Sequence, residues 1–191
     1  LGWIGYYDKG SYQRFASINP WLAQPDSLFN TRVQERYAGF KGSLEDHFTY
    51  SLKVGFQQYR NVPLFVNDQV DGKTFLIKYE PRLEALQLHA EVEYTVGEQF
   101  SASGALNFRQ FTKMQKEIKA WGMLPLEFNA SLRWQLLKDL WLKTDLWAWD
   151  GAQYQGTNGD SFKGETGFDL NAGAEFRITK NFNLWLQLNN I

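Results

Sequence analysis

Few residues in this chain are equipped for chemistry. There are two histidines, His47 and His89. His89 is followed at spacing two by Glu91 and Glu93. Alternate residues of a strand point the same way, so the imidazole and both carboxylates would share one face. Such groups are common metal ligands. A cation site would also need ligands from a neighbouring strand, and the simpler reading is a hydrated polar wall with no metal and no cofactor. Ser101, Ser103 and Ser131 are nucleophiles in type only. A hydrolase needs a base and an orienting group beside its nucleophile. No such motif surrounds these serines, and no enzyme activity is expected. Gly156, Asn158-Gly159-Asp160 and Gly164 resemble a calcium loop superficially. They lack the ligand spacing and closing Glu of an EF-hand, so a flexible loop is expected. Trp121, Trp147, Trp149 and Tyr154 fall toward one side and could stack on a sugar or cofactor. Packing explains them more simply.

Charged residues form a second candidate set. Arg109, Arg133, Lys143 and Arg177, with Lys41 and Lys53, share a polar face with Glu91, Glu93, Glu127, Asp145, Asp169 and Glu175. Rings of one sign tune pore selectivity. Here neither sign prevails, and cross-strand pairing that stiffens a wall is expected. Net charge is -1, without the basic footprint of a nucleic-acid binder. The absence of cysteine excludes disulfides and thiolate metal sites.

The elements that carry these residues read as strands. From Leu124 to Leu136, Leu124, Leu126, Phe128, Ala130, Leu132, Trp134 and Leu136 share one face. Pro125, Glu127, Asn129, Ser131, Arg133 and Gln135 share the other. A helix would scatter these residues around its circumference. The same period of two runs through 35–44, 48–57, 86–96, 100–109, 140–148, 168–178 and 182–189. About eight strands of roughly 10–14 residues result, against five or six in most soluble strands and about 9–11 across a bilayer. Mean hydropathy is -0.46, as expected when only alternate residues face lipid. The predicted fold is all-β, an antiparallel transmembrane β-barrel. The expected organisation is a single barrel segment over 1–191, with a strand and outer loop in 1–31 and about eight strands in hairpins over 32–191.

Short turns at Glu45-Asp46, Gly97-Glu98, Lys138-Asp139 and Thr179-Lys180-Asn181 alternate with long connectors near 60–74, 111–123 and 150–166. Outer-membrane barrels show this asymmetry, with short periplasmic turns and long outer loops. Aromatics sort by depth into two expected girdles. Phe48, Tyr50, Phe100, Trp134 and Phe182 lie near the short turns. Tyr37, Tyr59, Phe111, Trp121 and Trp149 lie near the long loops. His89, Glu91, Glu93, Arg109, Glu127, Arg133, Lys143, Asp145, Asp169, Glu175 and Arg177 would line the lumen. Taking the short turns as periplasmic, 182–191 runs outward, so a further strand is expected to follow. An earlier outward strand is expected within Gly2–Phe15, and an outer loop from Ser17 to Thr31.

The tail Phe182-Asn183-Leu184-Trp185-Leu186-Gln187-Leu188-Asn189-Asn190-Ile191 resembles the penultimate region of TonB-dependent receptor barrels. Leu136–Lys143 and Phe168–Gly173 resemble hairpins of such outer-membrane proteins in Bacteroidota, and Asn61–Asp68 resembles an outer loop of that group. The resemblance spans most of 32–191. It implies an outer-membrane address and a role in solute uptake. The implied partners are the lipid bilayer and the TonB system or other envelope proteins, with no nucleic acid. These residues contain no plug domain and no TonB-box-like segment. Two alternatives stand beside uptake: a structural or interaction barrel in an envelope complex, and a soluble lipocalin-like ligand-binding barrel. In the soluble barrel the apolar set would form the core.

Overall fold

A computed structural model describes residues 1–8, 19–23 and 29–191. Its chief element is one nine-stranded antiparallel sheet. The strands are β1 (Gly2–Asp8), β2 (Thr31–Leu44), β3 (Phe48–Arg60), β6 (Leu83–Val96), β7 (Phe100–Met114), β8 (Leu126–Leu137), β9 (Leu140–Trp149), β12 (Gly167–Thr179) and β13 (Phe182–Leu188). They lie side by side in chain order, a continuous meander. β1 runs antiparallel to β2, as expected of a strand beginning at Gly2. The rest of that expected strand, to Phe15, and most of the loop from Ser17 lie outside the described residues.

Length and period explain the sheet. β2, β3, β6, β7, β8, β9 and β12 are 10 to 15 residues long. Each alternates apolar and polar residues, β2 only from Ala38 onward, and the registers bring like faces together. Phe40 faces Leu52, Leu52 faces Ala90, and Ala90 faces Leu106. A slip of one residue would turn every side chain over, so the alternation fixes the pairing. The short turns close where expected. Glu45 and Gly97 reverse the chain in the left-handed region, at φ 56° and 54°. At Gly97 the missing Cβ removes the steric cost of that conformation.

The long connectors are folded. The first holds a ribbon of β4 (Val62–Asn67) and β5 (Phe75–Glu80). It extends to Arg82, beyond the expected end at 74. The third holds β10 (Gln153–Gln155) and β11 (Ser161–Lys163). Where a flexible loop is expected at Gly156, Asn158–Asp160 and Gly164, the chain forms a hairpin that turns through Gly159 at φ 81°. Tyr154 stacks on Phe162, with ring centroids 5.7 Å apart.

The hydrophobic core cluster sits where this cap meets the end of β6. Val62, Leu64, Val66, Leu83, Ala85, Ala120 and Trp121 form one cluster, with Tyr59, Phe111, Met114 and Met123 packed against it. Meanwhile Phe40, Val54, Val92, Trp134, Phe176 and Leu186 are exposed on the apolar face of the sheet.

Candidate functional site

The candidate site is the polar face of the sheet. A single concavity of about 840 Å³ is lined by Lys41, Thr49, Ser51, Glu91, Glu93, Ser103, Asn129, Ser131, Asp145, Trp147 and Asn171. These residues come from seven successive strands. The sheet therefore curls around its polar face and leaves the apolar face convex. That curvature overturns the soluble-barrel alternative, whose apolar face would be inside.

Register rows bring the polar residues together. One row passes from Lys53 to His89, Asn107 and Glu127 on four neighbouring strands. His89 spans two partners: its Nδ1 lies 2.6 Å from Asn107 Oδ1, and its Nε2 lies 2.8 Å from Glu91 Oε1. Ser51 donates to the same Glu91. Both imidazole nitrogens are thus engaged by single neighbours. No group of three or more metal-ligating side chains occurs among the described residues. Arg109 meets Glu127 at 3.4 Å, and Lys53 meets Glu35 at 3.1 Å. Lys143 meets Glu175, which also accepts from Asn183. Arg177 lies over the Trp141 ring at 4.8 Å. Ser103 and Ser131 share a hydrogen bond across β7 and β8.

All the residues expected on the polar side lie on this face. His89, Glu91, Arg109, Glu127, Lys143, Glu175 and Arg177 join paired contacts. Glu93 and Asp145 line the concavity. Arg133 and Asp169 take their places in the registers, opposite Lys143 and Trp147. Glu35 falls on the polar side of β2 by parity, but it is not among the residues expected to line the lumen. It is nearly buried, at 5% exposure. Gly55 explains how it fits: a Cβ there would meet Glu35 Oε1 at 2.6 Å.

The aromatics divide by face. Phe48, Tyr50, Phe100, Trp134 and Phe182 stand on the convex apolar face near the short turns. The other expected belt is corrected. Tyr37, Tyr59, Phe111 and Trp149 occupy odd positions in strands whose even positions face outward, so parity sends them inward. Lys53 lies over the Tyr37 ring at 5.3 Å. Tyr59 and Phe111 pack on the cap core, and Trp149 packs on Trp147 at 4.5 Å. Trp121 is in the cap, 1% exposed. Outward aromatics near the long connectors include Trp3, Phe56, Phe108, Phe128 and Phe168.

The cap is held by a residue that the strand pattern did not reveal. Glu80 ends β5 and is fully buried. Its carboxylate accepts backbone N–H bonds from Glu117 (2.7 Å), Gln115 (2.9 Å), Lys116 (3.1 Å) and Arg82 (3.2 Å). Burial alone would raise its pKa, but these backbone donors outweigh burial and hold it below the ordinary 4.5. Glu117 in turn accepts from Trp121 Nε1 at 2.9 Å. Lys78 reaches Gln155 on β10 at 2.9 Å. The three connectors are thereby tied into one body.

No family model matches this sequence, and no curated protein matches it. Solved structures do. The ferric enterobactin receptor of Pseudomonas aeruginosa (a G324V mutant) is similar with a TM-score of 0.64 at 15% identity, over 89% of this chain and 27% of that one. The siderophore receptor PirA from Acinetobacter baumannii gives 0.66 at 8% identity, over 89% and 29%. The copper transporter OprC gives 0.60 at 12% identity, over 86% and 26%. The likeness is one of fold. This chain is an antiparallel transmembrane β-barrel wall, and it spans about a quarter of the length of the structures it matches. Walls of this kind, apolar outside and polar inside, are built for the bacterial outer membrane.

Proposed function

We propose that this chain forms part of the wall of an outer-membrane uptake barrel of the TonB-dependent receptor kind. One observation carries the reading: the sheet curls around its charged and hydrogen-bonded face and exposes its apolar face. Lipid would solvate the convex side, and the concave side would line a hydrated lumen. The sheet order ends on β1 and β13, which do not pair with each other. Open edges are costly in hydrocarbon, so closure requires further strands beside them. The names of the similar structures make iron-siderophore complexes or copper the first solutes to test. The Bacteroidota resemblance rests on the sequence blocks alone.

In this role His89, Glu91, Arg109, Glu127, Lys143 and Glu175 are wall-stiffening pairs rather than ligands. Lys41, Glu93, Arg133, Asp145 and Asp169 are the charges of this face without an ion pair or ring contact among the described residues, left to meet a passing solute. The test is uptake by cells carrying the full-length gene, measured with and without TonB, for a ferric siderophore and for copper. TonB-dependent accumulation supports the reading. A full-length protein that fractionates with the outer membrane yet takes up neither solute, and conducts no ions in planar bilayers, contradicts it. The cap favours a second reading, a platform for envelope partners, because its own core gives it a fixed outer surface. Stable copurifying partners without transport would select that one.

A further inference from the structure

The convex face carries a charged patch that the wall does not need. Parity places Arg32 and Arg36 of β2, and Arg60 of β3, on the outward side with Phe56. All three are exposed. Arg32 and Arg60 are direct cross-strand partners. Like charges directly opposite one another destabilise a sheet. Among the described residues none of the three has an acidic partner. Beside them, Arg82 bonds to Glu84 at 2.8 Å, and Lys113 faces the same Glu84 across β6 and β7. Five cations and one carboxylate thus share the outward surface of β2, β3, β7 and the start of β6.

Position gives the patch its meaning. Arg32 and Arg60 lie at the long-connector end, while Arg36 is paired directly with Phe56, in one row with Leu86, and Phe108 lies one outward step nearer the short turns. The rim is not basic everywhere. At the same end of β8, β9 and β12 the outward residues are Leu126, Ala148 and Phe168. Arginine presents a planar fork suited to phosphate oxygens, and basic clusters beside a membrane segment recognise anionic headgroups.

We propose that Arg32, Arg36 and Arg60 bind the phosphates of an anionic lipid of the outer leaflet, whose acyl chains lie on Phe56, Leu86 and Phe108. The phosphate sits between the opposed guanidiniums and relieves their repulsion. This inference rests on the membrane reading given above. Charge complementarity, and continuity with the apolar band, select a lipid over a free ion.

The experiment uses the full-length protein in phosphatidylcholine vesicles doped with lipid A, in its phosphorylated or dephosphorylated form. Insertion is read by heat-modifiable gel migration, and bound lipid by native mass spectrometry after detergent extraction. The wild type should retain phosphorylated lipid A. The R32Q/R36Q/R60Q variant should retain less by on the order of tenfold or more. A K138Q/K180Q variant, altered at the short turns, should match wild type. Inorganic phosphate at millimolar concentration should not displace the lipid. Equal retention by the arginine variant, equal retention of the dephosphorylated form, or displacement by inorganic phosphate overturns the proposal while leaving the membrane reading intact. A wild-type protein that fails to insert overturns both. If the glutamine variant misfolds, R32K/R36K/R60K keeps the charge without the fork and should retain an intermediate amount. Retention equal to wild type would refute the role of the guanidinium fork.

Discussion

The wall and the cap are built from one chain by opposite rules. In the wall, Leu52, Val54 and Val92 point away from the structure, and Lys53, His89 and Glu91 point in. In the cap, Leu64, Val66 and Trp121 are buried, and the charges of Lys73, Lys116 and Lys119 are exposed. The difference follows from solvent. A wall between lipid and a hydrated lumen needs no apolar core, because lipid takes the apolar side chains. A cap in water needs one, because nothing else will. The boundary falls within single strands. Tyr59 packs in the cap core, while Leu52 on the same strand faces outward.

The contrast can be broken most forcefully in the cap. Replacing Trp121 with Ala should remove roughly 3–5 kcal/mol of local stability, as for a large buried aromatic. The three connectors should lose hydrogen-exchange protection together while the wall keeps its heat-modifiable migration. Loss of both would show that the two regions do not fold by separate rules.

Next in size is a charge on the convex face. Leu52→Arg lies midway between Phe48 and Phe56 on β3 and should cost about 2–4 kcal/mol for a wall in lipid, measured by denaturant unfolding in vesicles. The same change on a water-exposed surface would be close to neutral.

Glu80→Gln comes third, at about 1.5–3 kcal/mol, because it weakens charge-assisted bonds to four backbone donors. Its pH signature sharpens the case. A carboxylate with a lowered folded-state pKa stabilises fully above its ordinary 4.5 and loses that contribution as pH falls through the lowered value. Cap protection should therefore be flat near neutral pH and fall in acid, and the variant should flatten that acid limb.

The smallest effect is expected from Lys143→Met. Its pair with Glu175 is exposed on the lysine side and part-exposed on the glutamate side, at 51% and 33%, and such pairs contribute about 1 kcal/mol or less. Denaturation midpoints in vesicles should barely move.

These differences also explain what the sequence disclosed. The wall strands were legible because period two is a physical requirement of a sheet with two solvents. The short turns were legible because Glu45-Asp46 and Gly97-Glu98 interrupt that period sharply. The cap was not. Val62–Asn67 and Phe75–Glu80 are too short to separate from a loop by periodicity, so the first connector seemed to end at 74. Pro81 after the apolar run Phe75-Leu76-Ile77 was the available sign of a ribbon's end. The outer aromatic belt misled because depth was read without parity. Tyr37 and Trp149 lie at the right height on the wrong face. Among the polar residues, the face was readable but the partners were not. Glu91, two residues along the same strand, was within reach of His89 by spacing alone, but that His89 would also meet Asn107 depends on register between strands, which one chain's pattern does not number.

The central claim is that the convex face meets lipid and the concave face meets water. The chain has no cysteine, so single cysteines can be introduced from Thr49 to Phe56 in the full-length protein, spin-labelled and measured in vesicles. Accessibility to oxygen, which partitions into lipid, should peak at Tyr50, Leu52, Val54 and Phe56. Accessibility to a water-soluble nickel chelate should peak at Thr49, Ser51, Lys53 and Gly55. A period of two with opposite phases is the predicted result. Equal water access at all eight positions, or the inverse phase, would contradict the account.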